Sequence, residues 1–243
     1  MVGIGTTLYC NEPEDKRYDR KLIQGKREQF KQWILLAVVN PFTDFFKRYG
    51  SQAIILLLFI SFFRVSDYVL GILASPFYLD IGFSKTQIAG VAKFYGLWVS
   101  LIGTAFGATA ILKFGVSKCI VVATILIAST NLFFALMAYT GPYMSLLTIT
   151  ISADNFTMGF AGTVFIAYLS SLTNLSFTAT QYALFTSVST FLGKFAAGFS
   201  GNIQESIGWV GFFLYAALMG VPAIILSLFV AKKIQTVEAH QKR

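Results

Sequence analysis

The sequence predicts an all-α membrane protein, a bundle of six transmembrane helices preceded by an amphipathic interfacial helix. Three observations predict it. Of 243 residues, 56% are hydrophobic and 16% aromatic, and the mean hydropathy is +0.67. Only 12% are Asp, Glu, Lys or Arg, where an ordinary soluble domain has about a quarter. Apolar runs of about 20 residues, the length that crosses a hydrocarbon core, recur along the chain between turns rich in Gly, Pro and Asp. The net charge of +8 does not point to nucleic acid, because the basic residues follow membrane topology instead of gathering on one folded face.

Met1 to Cys10 is too short to span a membrane, and no basic residue precedes its apolar part as in a secretory signal. It reads either as a loose terminus or as the tail of a membrane helix that begins upstream. Asn11 to Lys31 is a run of mixed charge without an apolar face, a solvated linker. Asn40 and Pro41 offer a helix cap followed by proline at the first helical position. Phe42, Phe45, Phe46 and Tyr49 then share one helical face, with Asp44, Lys47 and Arg48 between them, as in a helix lying on a membrane surface. Residues 1–50 are therefore read as a cytoplasmic linker with an interfacial helix at about 40–50.

The first span, about residues 53–79, is apolar except for Arg64 and Asp67, which sit at i and i+3 on one helical face. Placing such a charge against lipid at mid-depth costs about 2.5 to 3.5 kcal/mol or more, so both should face protein or water. A turn through Asp80, Gly82 and Ser84 leads to the capping-box pair Ser84 and Gln87 and a second span at 87–112. There Gly96, Ser100 and Thr104, with Gly103 and Gly107 beside them, place small residues every fourth position, a pattern that lets helices approach closely in lipid. The third span, 120–139, ends at Gly141 and Pro142. The fourth, 143–172, holds Asp154 and Asn155 near its middle and Gly159 and Gly162 beyond them. Thr178 and Gln181 repeat the capping-box spacing and open the fifth, 180–201, which holds Lys194. The sixth runs over 209–231, and 232–243 is a cytoplasmic tail.

An even number of spans puts both ends on one side, and basic residues say which. Nine Lys or Arg precede residue 49, Lys113 and Lys118 flank one short loop, and Lys232, Lys233, Lys242 and Arg243 lie in the tail, against Lys85 alone on the other side. Both termini are expected in the cytoplasm. Cys10 and Cys119 then lie near the reducing side, far apart in sequence, and no disulfide is expected.

The charges left inside the spans are Arg64, Asp67, Lys93, Asp154 and Lys194, and they follow a pattern. Taking the helices as two sets of three, the first of each set carries a mid-span aspartate, the second a lysine and the third no charge, as an inverted repeat of a secondary transporter would arrange them. From a rise of about 1.5 Å per residue, Arg64, Asp67 and Asp154 fall near the bilayer middle, and Lys93 and Lys194 in its outer half. The two lysines would attract an anionic solute from outside. A plainer reading is open for each: both lysines snorkel to the interface, and Arg64 and Asp67 form a structural ion pair. Asp154 has no cation near it in sequence, and a protonatable carboxylate at that depth suits proton coupling.

The stretches Phe77 to Trp98, Ser152 to Asn174 and Ser176 to Lys194, above all Ser-Phe-Thr-Ala-Thr-Gln-Tyr-Ala-Leu at Ser176 to Leu184, resemble the AmpG muropeptide permeases. These are major facilitator proteins of the peptide-acetyl-coenzyme A transporter group. The resemblance covers nearly the whole chain and matches the second half of a full-length member. It implies one major-facilitator-type bundle with a 3+3 inverted repeat, in a bacterial inner membrane. It also implies import of anionic cell-wall recycling products by proton symport, with acetyl-coenzyme A as the rival cargo. Arg64, Asp67 and Lys93 fall on charged positions of that family; Asp154, followed by Asn155, stands in place of a glutamate, and Lys194 in place of an arginine. Arg64, Asp67, Lys93, Asp154, Asn155 and Lys194 are thus the candidate pathway residues. Gly3 to Cys10 resembles the end of a preceding span, so a second six-helix half, from a separate chain or a second copy, is an expected partner beside lipids, protons and the solute. An inactive remnant or a structural membrane protein is the alternative. An enzyme is not expected: His240 is the single histidine, no metal ligands cluster, and no metal or cofactor is implied.

Overall fold

The computed structural model describes residue 35 and residues 39–174 and 177–241, with side chains described through Lys232. Met1 to Cys10, the charged linker and the last residues of the tail lie outside the described residues. Ten α-helices follow in order: α1 Asn40–Tyr49, α2 Gln52–Phe62, α3 Val65–Asp80, α4 Lys85–Ile88, α5 Gly96–Phe114, α6 Val116–Thr140, α7 Met144–Leu172, α8 Thr178–Ala197, α9 Ser200–Met219 and α10 Val221–Gln241, with a π-helical turn, Ala89–Tyr95, joining α4 to α5. No strand occurs among the described residues.

Among the described residues five stretches are long and apolar enough to cross a membrane: Gln52–Asp80, Lys85–Phe114, Val116–Thr140, Met144–Leu172 and Ser200–Lys232. The chain is an all-α, multi-pass membrane protein. The stretch expected as the fifth span is α8, whose 20 residues would cover about 30 Å but whose Thr, Ser, Gln and Lys side chains keep it below the apolar content of the other five. The expected start of the sixth coincides with Gly208, where φ of +71° breaks the helix within α9 in a conformation open to glycine at little steric cost.

Helix α6 sits in the centre, against α7, α9 and α10, while α2 and α3 pack on α8, α9 and α10. Helix α5 lies outermost, held mainly by α7, and small residues bring this pair together. A Cβ on Gly103 would collide with the Phe156 carbonyl oxygen, and one on Gly159 with that of Ser100. The spacing seen in the sequence is therefore a helix-packing seam. Helix α8 buries a narrow stripe, Gln181, Phe185, Ser189, Gly193 and Ala197, one residue per turn, and Gly193 makes room for the ring of Tyr68 on α3.

Two apolar cores fill the bundle. One gathers Phe45, Phe59, Phe63, Ile120, Ile127, Phe160, Val164 and Tyr168. The other gathers Val65, Val69, Phe77, Phe134, Ile151, Phe212 and Phe213, where Phe77 meets Phe213 edge to face with centroids 4.6 Å apart and Trp209 donates to Asp80 at 2.5 Å.

Three local expectations are corrected. Asn40 does not cap α1: Val39 already has helical dihedrals and Asn40 lies inside the helix. The Ser84–Gln87 capping box forms, but the Thr178–Gln181 one does not, because α8 starts at Thr178 behind Phe177 and Gln181 is drawn into a tertiary contact with α1. The first span is not one smooth helix but breaks at Phe63 and Arg64, where Arg64 leaves the helical region with φ of −115°. Helix α1 docks on the bundle through Phe45, fully buried against Phe185 at 5.0 Å. Burial pushes the Asp44 carboxyl on its flank up, but hydrogen bonds from Gln181 and Asn174 and the Arg48 charge outweigh it and hold it below the usual carboxylate range.

The α5–α7 seam makes a direct prediction. Gly159→Ala should lower the unfolding midpoint in detergent, by about 1–3 kcal/mol of stability for an overpacked contact. Gly162→Ala, with open space around its Cβ position, should leave it level or raise it slightly.

Candidate functional site

The break in the first span creates the site. With Arg64 at the N-cap, Asp67 falls in the first turn of α3, where a carboxylate is favoured by a helix N-terminus. Arg64 Nε donates to Asp67 Oδ2 at 3.2 Å, the two side chains being 29% and 18% exposed. They form an ion pair, yet neither is sealed in the core.

Asp154, on α7, is half-buried and lies within electrostatic reach of Asp67 and Arg64. Three of the six candidates, remote in sequence, therefore lie in one charged neighbourhood, a patch in which the Arg64–Asp67 ion pair is the direct contact among the described residues. It holds one guanidinium against two carboxylates, so with all three ionised it carries an excess negative charge. Such an imbalance at membrane depth calls for a proton or another cation.

The other three candidates make no ion pair or hydrogen bond with those three among the described residues. Lys93 lies on the π-helical turn Ala89–Tyr95, a geometry concentrated at functional positions. It is exposed, and Tyr95 beside it meets Ser152 Oγ at 3.0 Å. Lys194 is likewise exposed, on α8 next to the Gly193–Tyr68 contact. Among the described residues neither lysine is ion-paired. Asn155 turns toward α5: its Nδ2 donates to the Ile151 carbonyl at 3.0 Å, and a Cβ on Gly96 would stand 2.9 Å from that nitrogen.

Two residues that the sequence reading passed over hold the ion pair in place. Ser66, between Arg64 and Asp67 and fully buried, donates to the Ala216 carbonyl on α9 at 2.7 Å. It accepts from Asn131 Nδ2 on α6 at 2.8 Å. Asn131, 1% exposed, is the signal that could have been used, an amide in the middle of an apolar span. Its Oδ1 has no partner among the described residues. Two shallow grooves of about 470 and 380 Å³ lie elsewhere, around Asn202, Ser206 and Tyr215 and around Ser129 and Leu214. Among the described residues no three His, Cys, Asp or Glu come together to hold a metal.

No family model matches the chain. It is similar to "Putative transporter AmpG 4" of Rickettsia felis, 35% identical over 83% of this chain and 48% of that protein. It is also similar to "Putative transporter AmpG 1" of Rickettsia bellii, 30% identical over 76% of this chain and 45% of that protein. "Putative transporter AmpG 3" of Rickettsia prowazekii is 27% identical over the whole chain and 57% of its own length. The chain spans about half the length of the curated relatives it matches.

If Arg64 and Asp67 neutralise each other, removing one strands the other. Asp67→Asn should destabilise the detergent-solubilised protein by about 1–3 kcal/mol. The double change Arg64→Gln with Asp67→Asn should cost less than the two single changes together, a coupling that a double-mutant cycle of unfolding midpoints reads directly.

Proposed function

We propose that this AmpG-like chain, half the length of its curated relatives, forms one six-helix bundle of a secondary transporter, completed by a second bundle from another chain or a second copy. The observation that carries this reading is the shared patch of Arg64, Asp67 and Asp154. In an inverted-repeat transporter the solute and coupling-ion sites lie at mid-depth where repeats meet, often at interrupted helices. The break at Arg64 and the π-helical turn at Lys93 are interruptions of that kind. The relatives' names support transport over catalysis.

On this reading the protein lies in a bacterial inner membrane with both termini in the cytoplasm. Lys93 and Lys194, exposed and unpaired, draw an anionic solute toward the patch. A proton on Asp154 leaves Arg64 and Asp67 as a balanced pair with no net charge. Its release restores the excess negative charge, which favours the bundle arrangement that lets water in. Coupling then follows because the two protonation states favour different arrangements. The cargo is an anionic cell-wall muropeptide, with acetyl-coenzyme A as the alternative of similar charge.

Uptake of a radiolabelled anhydromuropeptide into cells that also supply a second bundle tests this. Asp154→Asn should abolish the response to an imposed proton gradient while the protein still reaches the membrane. Lys93→Gln with Lys194→Gln should raise KM about tenfold, by removal of two attracting charges. Undiminished proton-driven uptake in both Asp67→Asn and Asp154→Asn would rule the coupling role out.

A further inference from the structure

We propose that Gln181 is the keystone of a latch that ties α1 to the start of α8 and closes that end of the seam between α2 and α8. Gln181 is fully buried, and its amide uses its whole hydrogen-bonding capacity. Nε2 donates to the Pro41 carbonyl at 2.9 Å and to Asp44 Oδ2 at 3.0 Å. Oε1 accepts from Arg48 Nη2 at 3.0 Å and from the Asn174 backbone amide at 2.8 Å. Two donors and two acceptor positions are all that a glutamine offers.

Asp44 completes the ring. Its Oδ2 also accepts from Arg48 Nε at 2.9 Å, and its Oδ1 accepts from Asn174 Nδ2 at 3.1 Å. The contact therefore joins α1, the turn after α7 and the first turn of α8. Directly below it Phe185, one turn along the same stripe, meets Phe45 of α1. Ser189 follows one turn further, buried at 4% exposure.

The fastening is polar where most of the bundle is apolar. Hydrogen bonds can exchange partners with water once an end opens, whereas an interdigitated apolar seam has to separate. Helix α8 also carries Lys194 and rests on Tyr68, next to Asp67, so a movement of its latched end reaches the charged patch. The latch thereby couples the segment entering the bundle at residue 40 to α8. It stands on this geometry alone, and its test reads no transport.

The test uses the full-length chain in membranes, with Cys10→Ser and Cys119→Ser and a single reporter, Ser189→Cys, labelled by a membrane-impermeant maleimide. With the latch intact, labelling should be slow. Gln181→Ala should speed it about tenfold or more, as expected when several bonds of one local opening are lost. A second reporter on another seam, Thr130→Cys, should keep its rate. Gln181→Glu, which keeps the size of the side chain but loses both donors, should act like Gln181→Ala. Equal labelling of Ser189→Cys with and without Gln181 would overturn the latch. So would equal acceleration at Thr130→Cys, or a labelling rate in Gln181→Glu no faster than the parent's.

Discussion

Inside a hydrocarbon layer a charged or hydrogen-bonding side chain has to find its partner within the protein. That constraint organises this bundle. The two apolar cores part within three of the spans: between Phe63 and Val65 on the first, between Ile127 and Phe134 on α6, and between Ile151 and Phe160 on α7. The intervals hold Arg64, then Thr130 and Asn131, then Asp154 and Asn155. A polar layer thus divides the interior. On its inner side Asn131 donates to Ser66, which donates on to the Ala216 carbonyl, linking three helices, and on its open side stand Arg64, Asp67 and Asp154.

The remaining structure keeps that layer accessible on one side. Helices α5 and α7 approach through Gly103 and Gly159, so α7 can present Asp154 while its other faces stay packed. Helix α8 meets α3 through the Gly193–Tyr68 contact, a fit that depends on the missing side chain. The two ends of the bundle are closed differently. One relies on the cluster of rings formed by Phe77, Phe213 and Trp209, the other on the hydrogen-bonded ring around Gln181. An end held by polar contacts is the one better suited to open and close.

Much of this was legible in the sequence because the signals are local. Apolar length marked the spans, the glycine spacing from Gly96 to Gly107 marked a close helix pair, and Ser84 with Gln87 marked a helix start. The charges marked the patch, since each is conspicuous in an apolar run. What stayed hidden depends on partners far along the chain. No Gly or Pro announces the break at Arg64, and the π-helical turn at Lys93 reads as ordinary helix. Asn131 stands out as an amide in an apolar span, but its partner shows only once Ser66 is placed beside it. Gln181 has the spacing of a cap, but Asp44, 137 residues away, competes for it and wins because burial removes water as the alternative.

The central claim is that ionised groups from separate helices meet in one patch, and a double-mutant cycle between Arg64 and Asp154 tests it most directly. Arg64→Gln, Asp154→Asn and the double variant would be compared by unfolding of the purified protein in mixed detergent. Contact through one electrostatic site predicts a coupling energy above about 0.5 kcal/mol. Effects that simply add, to within about 0.3 kcal/mol, would mean that the two side chains do not share a site.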